Sequence, residues 1–198
     1  MDYNENYDDF FDIGDSDIEF DESAISAEPY FEYDNKRVSC SFTGHRIITD
    51  AEKAQLIPRL KSTILYLISL GVKEFHCGGA LGFDTLAATV VFDVAREHED
   101  ISLILELPYE KQAIKWTDNE KRIYEFLKSK ANEVNVHFPN PKDKNEAVQA
   151  LLSRNRILID KSHYCVCYHK NTYKGGTAYT VNYAKLHDVQ IINLAEQL

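Results

Sequence analysis

Two glycine pairs in this chain stand where an apolar segment gives way to a helical pattern, and each could hold an anion. Gly78 and Gly79 follow one apolar segment, and Gly175 and Gly176 follow another. Glycine has no Cβ, so the backbone N–H groups of such a turn can approach a ligand closely. The helix N-terminus behind the turn adds a partial positive charge that favours phosphate or carboxylate. Two such turns predict a ligand with one or two phosphates, most simply a nucleotide.

The glycine pairs also have a plain structural interpretation, as tight strand-to-helix turns that bind nothing. Neither pair belongs to a G-x-G-x-x-G fingerprint, and no Gly-Lys-Ser or Gly-Lys-Thr follows the first one. Dinucleotide-dependent redox chemistry and P-loop hydrolysis therefore lose support. The two pairs gain weight when they are considered together with the polar residues that share their place in the fold.

Four polar or glycine-rich segments follow predicted strands, and in an open parallel sheet ligands bind at the carboxyl ends of the strands. These segments are residues 43–46, 78–84, 108–112 and 175–177. Arg46, and Arg154 from a later helix, would supply charge to a phosphate. Asp84 would hold a ribose hydroxyl, and Tyr109 or Trp116 would flank a base. Surface ion pairing, helix capping and core packing are the competing structural interpretations of these side chains.

The predicted ligand-binding set combines these residues with their neighbours on the same rim. His45 fits a helix-entry hydrogen bonder as well as it fits an acid or base. No metal site is expected, because Cys165 and Cys167 stand two apart on a strand and fit buried structural thiols. The set is Gly44, His45, Arg46, Gly78, Gly79, Ala80, Asp84, Tyr109, Gln112, Trp116, Arg154, Asn155, Gly175, Gly176, Thr177 and Thr180.

The segments that must position these residues alternate between strand and helix patterns. Strands are predicted at 37–43, 73–77, 101–107, 133–136, 164–168 and 189–193. Capping boxes at Thr49 and Thr117 open two of the helices, and further helices are predicted from Phe83, from about Asn145 to 160, and at 176–186. Strands separated by helices predict a Rossmann-like, three-layer, doubly wound α/β domain with a mostly parallel sheet.

Charge divides the chain into an acidic N-terminal segment and a near-neutral remainder. Residues 1–35 hold thirteen acidic residues and no Lys or Arg, which leaves residues 36–198 at +3 out of a total of −10. We expect residues 1–35 to be an acidic, disordered extension, and residues 36–198 to form the folded domain. Its aromatic residues favour a contact with a protein partner, and a solubilising tail is the alternative.

The cysteines and the hydropathy pattern are used to predict the cellular compartment. The chain shows no charged n-region followed by an apolar stretch, and no apolar run approaches ~18 residues, so we expect neither a signal peptide nor a membrane span. All four cysteines fall in or beside predicted buried strands. Reduced thiols in a cytoplasmic protein are the expectation.

The motifs together resemble a known family. They are T-G-H-R at 43–46, G-G-A-x-G-x-D at 78–84, P-Y-E-K-Q-x-x-x-W at 108–116, S-R-N at 153–155 and G-G-T-x-x-T-x-x-Y-A at 175–184. In this order they are similar to the YpsA-like branch of the SLOG superfamily, which includes the LOG phosphoribohydrolases and the Rossmann-like core of DprA. The resemblance covers residues 36–198 and leaves out the acidic segment.

The resemblance implies a pocket for a nucleotide, NAD or ADP-ribose-type ligand, with no cofactor required. It also implies links to cell division or to prophages. In the phosphoribohydrolase pattern G-G-x-G-T-x-x-E the final glutamate is catalytic, and counted from Gly175 its place falls at Asn182, a neutral amide. Asp84 is the remaining candidate for that chemistry. This departure favours a regulator or sensor over an enzyme.

The expected function is therefore a cytoplasmic regulator or sensor that binds a nucleotide-derived ligand. The enzymatic alternative is a nucleotide N-glycosidase, a phosphoribohydrolase-like enzyme or an NAD-consuming hydrolase. DNA binding of the DprA kind is disfavoured, because the domain is near neutral and shows no Lys/Arg stripe. A protein partner for the acidic segment and homo-oligomer formation stay open, and no membrane partner is expected.

Overall fold

The computed structural model describes residues 38–170 and 174–196. The acidic segment predicted at residues 1–35 lies outside them. Among the described residues, every helix is too short or too polar to cross a bilayer.

Strands and helices alternate along the chain, as the periodicity predicts. The strands are β1 (Ser39–Gly44), β2 (Glu74–Cys77), β3 (Ser102–Leu107), β4 (Glu133–Val136), β5 (Tyr164–Tyr168) and β6 (Gln190–Asn193). The helices are α1 (Asp50–Ser69), α2 (Phe83–Ala95), α3 (Asp118–Lys130), α4 (Lys144–Asp160) and α5 (Gly176–Leu186). The predicted Rossmann-like α/β fold is confirmed. A short 3-10 turn, Glu110–Ala113, was not predicted, because four residues carry too little periodicity.

Local sequence explains where two of the helices begin. The Thr49 hydroxyl accepts a hydrogen bond from the Glu52 N–H, and the Glu52 carboxylate accepts one from the Thr49 N–H in return. Thr117 and Glu120 form the same reciprocal pair ahead of α3. Each capping box satisfies N–H groups that the first helical turn leaves without partners.

All six strands are parallel and follow the order β4-β3-β2-β1-β5-β6. From β1 the chain first builds outward through β2, β3 and β4, and it then returns to place β5 on the other side of β1. Gly44 at the end of β1 is in register with Tyr168 at the end of β5. The order of the strands reverses at this point, which is where ligands bind in open α/β sheets.

The two faces of the sheet carry different side chains. Helices α1, α2 and α3 cover one face, where residues such as Phe42, Phe75 and Leu105 form the main apolar core. Helices α4 and α5 cover the other face, where strand residues include the buried polar side chains Ser41 and His76. Glu106, on the same face of β3, is fully buried. The polar face therefore holds charge that the apolar face does not.

Candidate functional site

A cleft opens at the carboxyl ends of β1, β2 and β5, beside α4. It is a partly open cleft with about 400 Å³ of empty space, a figure that includes open solvent. Eight of the predicted residues line it, together with Thr43 and Leu151, which were not in the predicted set. The lining is Thr43, Gly44, Arg46, Ala80, Asp84, Leu151, Arg154, Asn155, Gly176 and Thr177.

The second glycine turn opens onto this cleft at the start of α5. Gly175 is the N-cap residue, with φ of 102°, a conformation that glycine adopts without strain. Having no side chain, it cannot cap the helix, and the first intrahelical bond runs from the Tyr179 N–H to its carbonyl. Gly176 and Thr177 line the cleft, so the positive end of the α5 dipole is directed towards it, an arrangement that favours anions.

Arg154 is the most unusual side chain in the cleft. It is only 3% exposed, its Nη1 donates to the Glu106 carbonyl at 3.2 Å, and it lies 4.0 Å from an Asp84 carboxylate oxygen. Its Nε has no hydrogen-bond partner. Burial lowers the pKa of the guanidinium, and nearby Asp84 opposes that shift. Buried polar groups are nearly always hydrogen-bonded, so a buried guanidinium with an unpartnered Nε is uncommon.

The first glycine turn is filled by the protein itself. A Cβ on Gly78 would lie 1.7 Å from Arg154 Nη1, and one on Gly79 would lie 2.8 Å from the Leu107 side chain. Gln112 Nε2 also donates to the Gly79 carbonyl at 3.3 Å. Gly78 and Gly79 therefore do not line the cleft, and their small size is used for packing.

The N-terminus of α2 is likewise occupied by the protein's own groups. The Phe83 N–H donates to the His45 carbonyl at 3.1 Å, and the Thr85 N–H donates to the Ala80 carbonyl at 3.1 Å. The His45 ring lies outside the cleft lining, where Nε2 accepts a hydrogen bond from the Lys170 N–H at 3.1 Å. Of this region, Gly44, Arg46, Ala80 and Asp84 reach the cleft.

The aromatic residues predicted to flank a base lie elsewhere. Tyr109 is 2% exposed and packs with residues of α4 and with Tyr179. Trp116 packs against the main apolar core, with its ring centroid 5.2 Å from that of Tyr124. Gln112 donates to the Tyr124 hydroxyl, and burial raises the pKa of that phenol to about 12. None of these three predicted residues lines the cleft, and no aromatic ring belongs to its described lining.

Asn182 does not face the cleft either. At about 100° per residue it lies roughly 140° around α5 from Thr177, and it is absent from the lining. Thr180 lies one turn beyond Thr177 and is buried, with its hydroxyl donating to the Gly176 carbonyl at 2.7 Å. Counted from the Gly176-Thr177 pair, the glutamate of the phosphoribohydrolase pattern falls at Thr180. Neither Asn182 nor Thr180 lines the cleft, and neither is a carboxylate.

Within residues 38–170 and 174–196, no three His, Cys, Asp or Glu side chains are grouped so that they could hold a metal ion. The four cysteines are buried free thiols. Burial raises the pKa of Cys165 to about 12, which leaves it protonated and unreactive.

Comparison with known proteins gives both a family and a fold. The sequence model of YpsA, described as the YspA SLOG family, matches residues 47–194. A UPF0398 protein of Bacillus cereus (strain B4264) is 28% identical over 126 residues, which cover 64% of this chain and 67% of that protein. A second, from B. cereus (strain G9842), is 30% identical over 115 residues, or 58% of this chain and 61% of that one.

Two solved structures of DNA processing protein A (DprA) share the fold. The Streptococcus pneumoniae protein matches with a TM-score of 0.51 and 14% identity over 77% of this chain, but over only 48% of its own length. The Helicobacter pylori protein matches with a TM-score of 0.52 and 17% identity, over 87% of this chain and 68% of its own. The latter is described as having a unique single-stranded DNA binding mode.

These structures correct the expectation that disfavoured nucleic acid as a partner. That expectation rested on a domain charge of only +3 and on the lack of a basic stripe. A protein of the same fold is described as binding single-stranded DNA, so the argument from net charge is wrong. Net charge averages over the whole surface, whereas Arg46 and Arg154 concentrate positive charge in one cleft.

Proposed function

The chain belongs to the YspA SLOG family, and on that premise we propose that its cleft binds the phosphate and ribose of a nucleotide-derived ligand. The proposed ligand class comprises nucleotides, NAD and ADP-ribose. The role we propose is that of a cytoplasmic regulator or sensor. Its four reduced thiols are compatible with that compartment. The links to cell division and prophages that the resemblance implies stay predictions.

The observation that carries the proposal is the buried Arg154 with an unpartnered Nε. Arg46 and the N-terminus of α5 line the same cleft, so three sources of positive potential converge on one small space. Asp84 lies beside Arg154 and is suited to accept a hydrogen bond from a ribose hydroxyl. With no aromatic ring in the described lining, recognition rests on the sugar and phosphate, and the base contributes little.

The lining also supports binding over turnover. Asp84 is the one carboxylate among the described residues of the cleft. The glutamate of the phosphoribohydrolase pattern falls at Asn182 when counted from Gly175 and at Thr180 when counted from the Gly176-Thr177 pair, and neither residue is a carboxylate. Hydrolysis of an N-glycosidic bond needs an activated water and stabilisation of an oxocarbenium ion. Asp84 lies 4.0 Å from the Arg154 guanidinium, which favours its charged, acceptor-only form. An enzyme that uses Asp84 is the alternative, and product analysis decides it.

Thermal unfolding with and without ligand tests the proposal. ADP-ribose, NAD and nucleoside monophosphates are added to the wild type, to Arg154→Met and to Arg156→Met, a matched change on the same helix outside the cleft. A ligand at 100 times its dissociation constant stabilises by about 2.7 kcal/mol. The wild type and Arg156→Met should show this shift, and Arg154→Met should lose it. Failure of the wild type to respond to any of these ligands contradicts the proposal.

Single-stranded DNA is a second candidate, because the H. pylori DprA fold described as binding it covers most of this chain. In this case the cleft would hold a phosphate of the DNA backbone. Fluorescence anisotropy of a labelled oligonucleotide at two salt concentrations should show salt-dependent binding that excess ADP-ribose displaces. Binding that ADP-ribose leaves unchanged would place the DNA elsewhere on the protein, and no binding at low salt would reject this candidate.

A further inference from the structure

On the polar face of the sheet, five ionisable side chains form a group that is centred on the buried His76 and Glu106 and that does not line the cleft. We call it the Glu106 cluster: Glu74, His76, Glu106, His137 and Lys161. His76 Nδ1 lies 2.9 Å from Glu106 Oε1, Lys161 Nζ lies 2.7 Å from the same oxygen, and His137 Nε2 lies 2.5 Å from Oε2. The Glu106 side chain is fully buried.

His76 lies between two carboxylates. Its Nδ1 contacts Glu106, and its Nε2 lies 3.6 Å from Glu74 Oε2, which itself accepts a hydrogen bond from the Ser39 hydroxyl. The ring is 1% exposed. Burial alone lowers the pKa of His76, but the hydrogen bond with Glu106 and the nearby Glu74 carboxylate outweigh it, and the net direction is upward despite the charge of Lys161. Both carboxylates thus act in favour of the protonated ring.

Glu106 connects this cluster to the cleft. Its carboxylate contacts His76, while its main-chain carbonyl accepts the hydrogen bond from Arg154 Nη1. Arg154 also feels the negative charge of Glu106. Gly78, two positions beyond His76 and just after β2, is the residue against which the Arg154 guanidinium packs. His76 contacts the Glu106 carboxylate and Arg154 the main-chain carbonyl of the same residue, so both cations lie within the field of one buried negative charge.

We propose that anion binding in the cleft and protonation of His76 favour one another through Glu106. This inference rests on the proposed function and adds a form of regulation to it. In the absence of an anion, the positive charge of Arg154 partly cancels the negative potential that Glu106 exerts on its surroundings. An anion that pairs with Arg154 neutralises that positive charge. His76 then experiences a more negative potential and holds its proton more tightly. By linkage, the same factor raises the affinity for the anion when His76 is protonated.

The first test needs no ligand. The His76 ring is titrated by NMR in the wild type, in Arg154→Met, which imitates neutralisation by a bound anion, and in the matched control Arg156→Met. Arg156 stacks on Tyr179 and Tyr183 and does not contact the cluster. We expect Arg154→Met to raise the proton affinity of His76 by about fivefold or more, the low end of typical coupling. An unchanged titration overturns the inference.

The second test measures the reciprocal effect with ADP-ribose, whose diphosphate keeps its charge across the pH range used. Calorimetry is done at about pH 6 and about pH 8.5, on either side of the ordinary histidine pKa of about 6.5. Binding should be weaker at the higher pH, by about fivefold where His76 is fully deprotonated. Proton uptake should appear as a dependence on buffer ionisation enthalpy. His76→Gln should lose both effects, and His98→Gln, a histidine outside the cluster, should keep them.

If His76→Gln fails to fold, Glu74→Gln provides a second variant that tests the same coupling. Glu74 is partly exposed, and its loss removes the second carboxylate from His76, so the pH range of the coupling should move downward. Equal ADP-ribose affinity at both pH values, with no proton uptake, overturns the inference alone. No ADP-ribose binding at either pH, together with no response to the other ligands in the thermal unfolding test, overturns the proposed function and this inference with it.

Discussion

The two glycine turns look alike along the chain and differ completely in what surrounds them. Both connect a buried parallel strand to a helix, and both contain adjacent glycines. The turn after β2 is covered by Arg154, Leu107 and Gln112, whereas the turn after β5 lies at the cleft. A glycine pair removes two Cβ atoms, and the space it frees can be taken by a ligand or by another part of the protein.

We call the turn at Gly78 and Gly79, which other side chains cover, the closed turn, and the turn at Gly175 and Gly176, which lies at the cleft, the open turn. The closed turn nevertheless contributes to the site at the open turn. Gly78 is small enough for Arg154 to lie against its Cα, and this contact holds the guanidinium at the cleft with Nη1 bonded to the Glu106 carbonyl. The first turn thus positions the charge, and the second presents backbone N–H groups to the same space. Changes in the first turn should alter stability and binding together, and changes in the second should alter binding alone.

The largest effect is expected for Gly78→Ala. The new Cβ would lie 1.7 Å from Arg154 Nη1, so the guanidinium must move and lose its hydrogen bond to Glu106. Overpacking combined with a displaced buried charge should lower the free energy of unfolding by about 3 kcal/mol. Urea denaturation measures it.

The double variant Gly78→Ala/Arg154→Ala separates this contact from any other effect of the methyl group. Removing the guanidinium removes the clash, so the alanine at position 78 should cost at least about 1 kcal/mol less in that background. Equal costs in both backgrounds would mean that Arg154 does not pack on Gly78.

The next effect concerns His76, on the strand that leads into the closed turn. Burial lowers its pKa, but the hydrogen bond with Glu106 and the nearby Glu74 carboxylate outweigh burial, so the pKa is raised in the folded protein. Its contribution to stability is therefore fully present below the ordinary histidine pKa of about 6.5 and is lost as the pH rises through the folded value. Urea denaturation should show the wild type losing more stability than His76→Gln between about pH 6 and about pH 9.

Glu106 produces the opposite trend at acid pH. Burial raises its pKa, but hydrogen bonds from His137, His76 and Lys161 outweigh it and hold the pKa well below the ordinary range. Its contribution is present above the ordinary glutamate pKa and is lost as the pH falls through the folded value. Stability should therefore be greatest between the ordinary pKa values of glutamate and histidine, about 4.3 and about 6.5. A maximum well above that range would contradict the assignment for His76, and a maximum well below it would contradict the assignment for Glu106.

The fold and the rim of the site could be predicted from the sequence, because both depend on local periodicity. The strand 164–168 and the helix 176–186 have the predicted bounds. The contents of the cleft could not be predicted equally well. Which side chain covers Gly78, and whether Trp116 faces solvent or Tyr124, depends on contacts between distant segments. Leu151 gave no signal, since an apolar residue on a helix predicts core packing.

A smaller effect is expected in the open turn, from Thr177→Val. The change keeps the shape of the side chain and removes a hydroxyl at the mouth of α5. One lost hydrogen bond to a charged phosphate should weaken ADP-ribose binding by roughly tenfold, about 1.4 kcal/mol, with the unfolding midpoint in the absence of ligand nearly unchanged. Thr89→Val is the control, because Thr89 bonds to the Thr85 carbonyl within α2 and does not line the cleft. Equal affinity in both variants would show that the ligand does not reach Thr177.

The smallest effect is expected at Asn182. If the glutamate of the phosphoribohydrolase pattern belonged there, Asn182→Glu would expose latent hydrolysis. The side chain lies roughly 140° around α5 from Thr177, so a carboxylate at this position would not approach a ribose held in the cleft. We expect Asn182→Glu to bind ADP-ribose as the wild type does and to release no base from nucleoside monophosphates, measured by chromatography after long incubation. Thr180→Glu is the informative counterpart, because Thr180 is buried one turn beyond Thr177 and a glutamate there should disturb binding. Base release by Asn182→Glu alone would show that α5 presents its other face to the ligand, and the open turn would then not be where the phosphate lies.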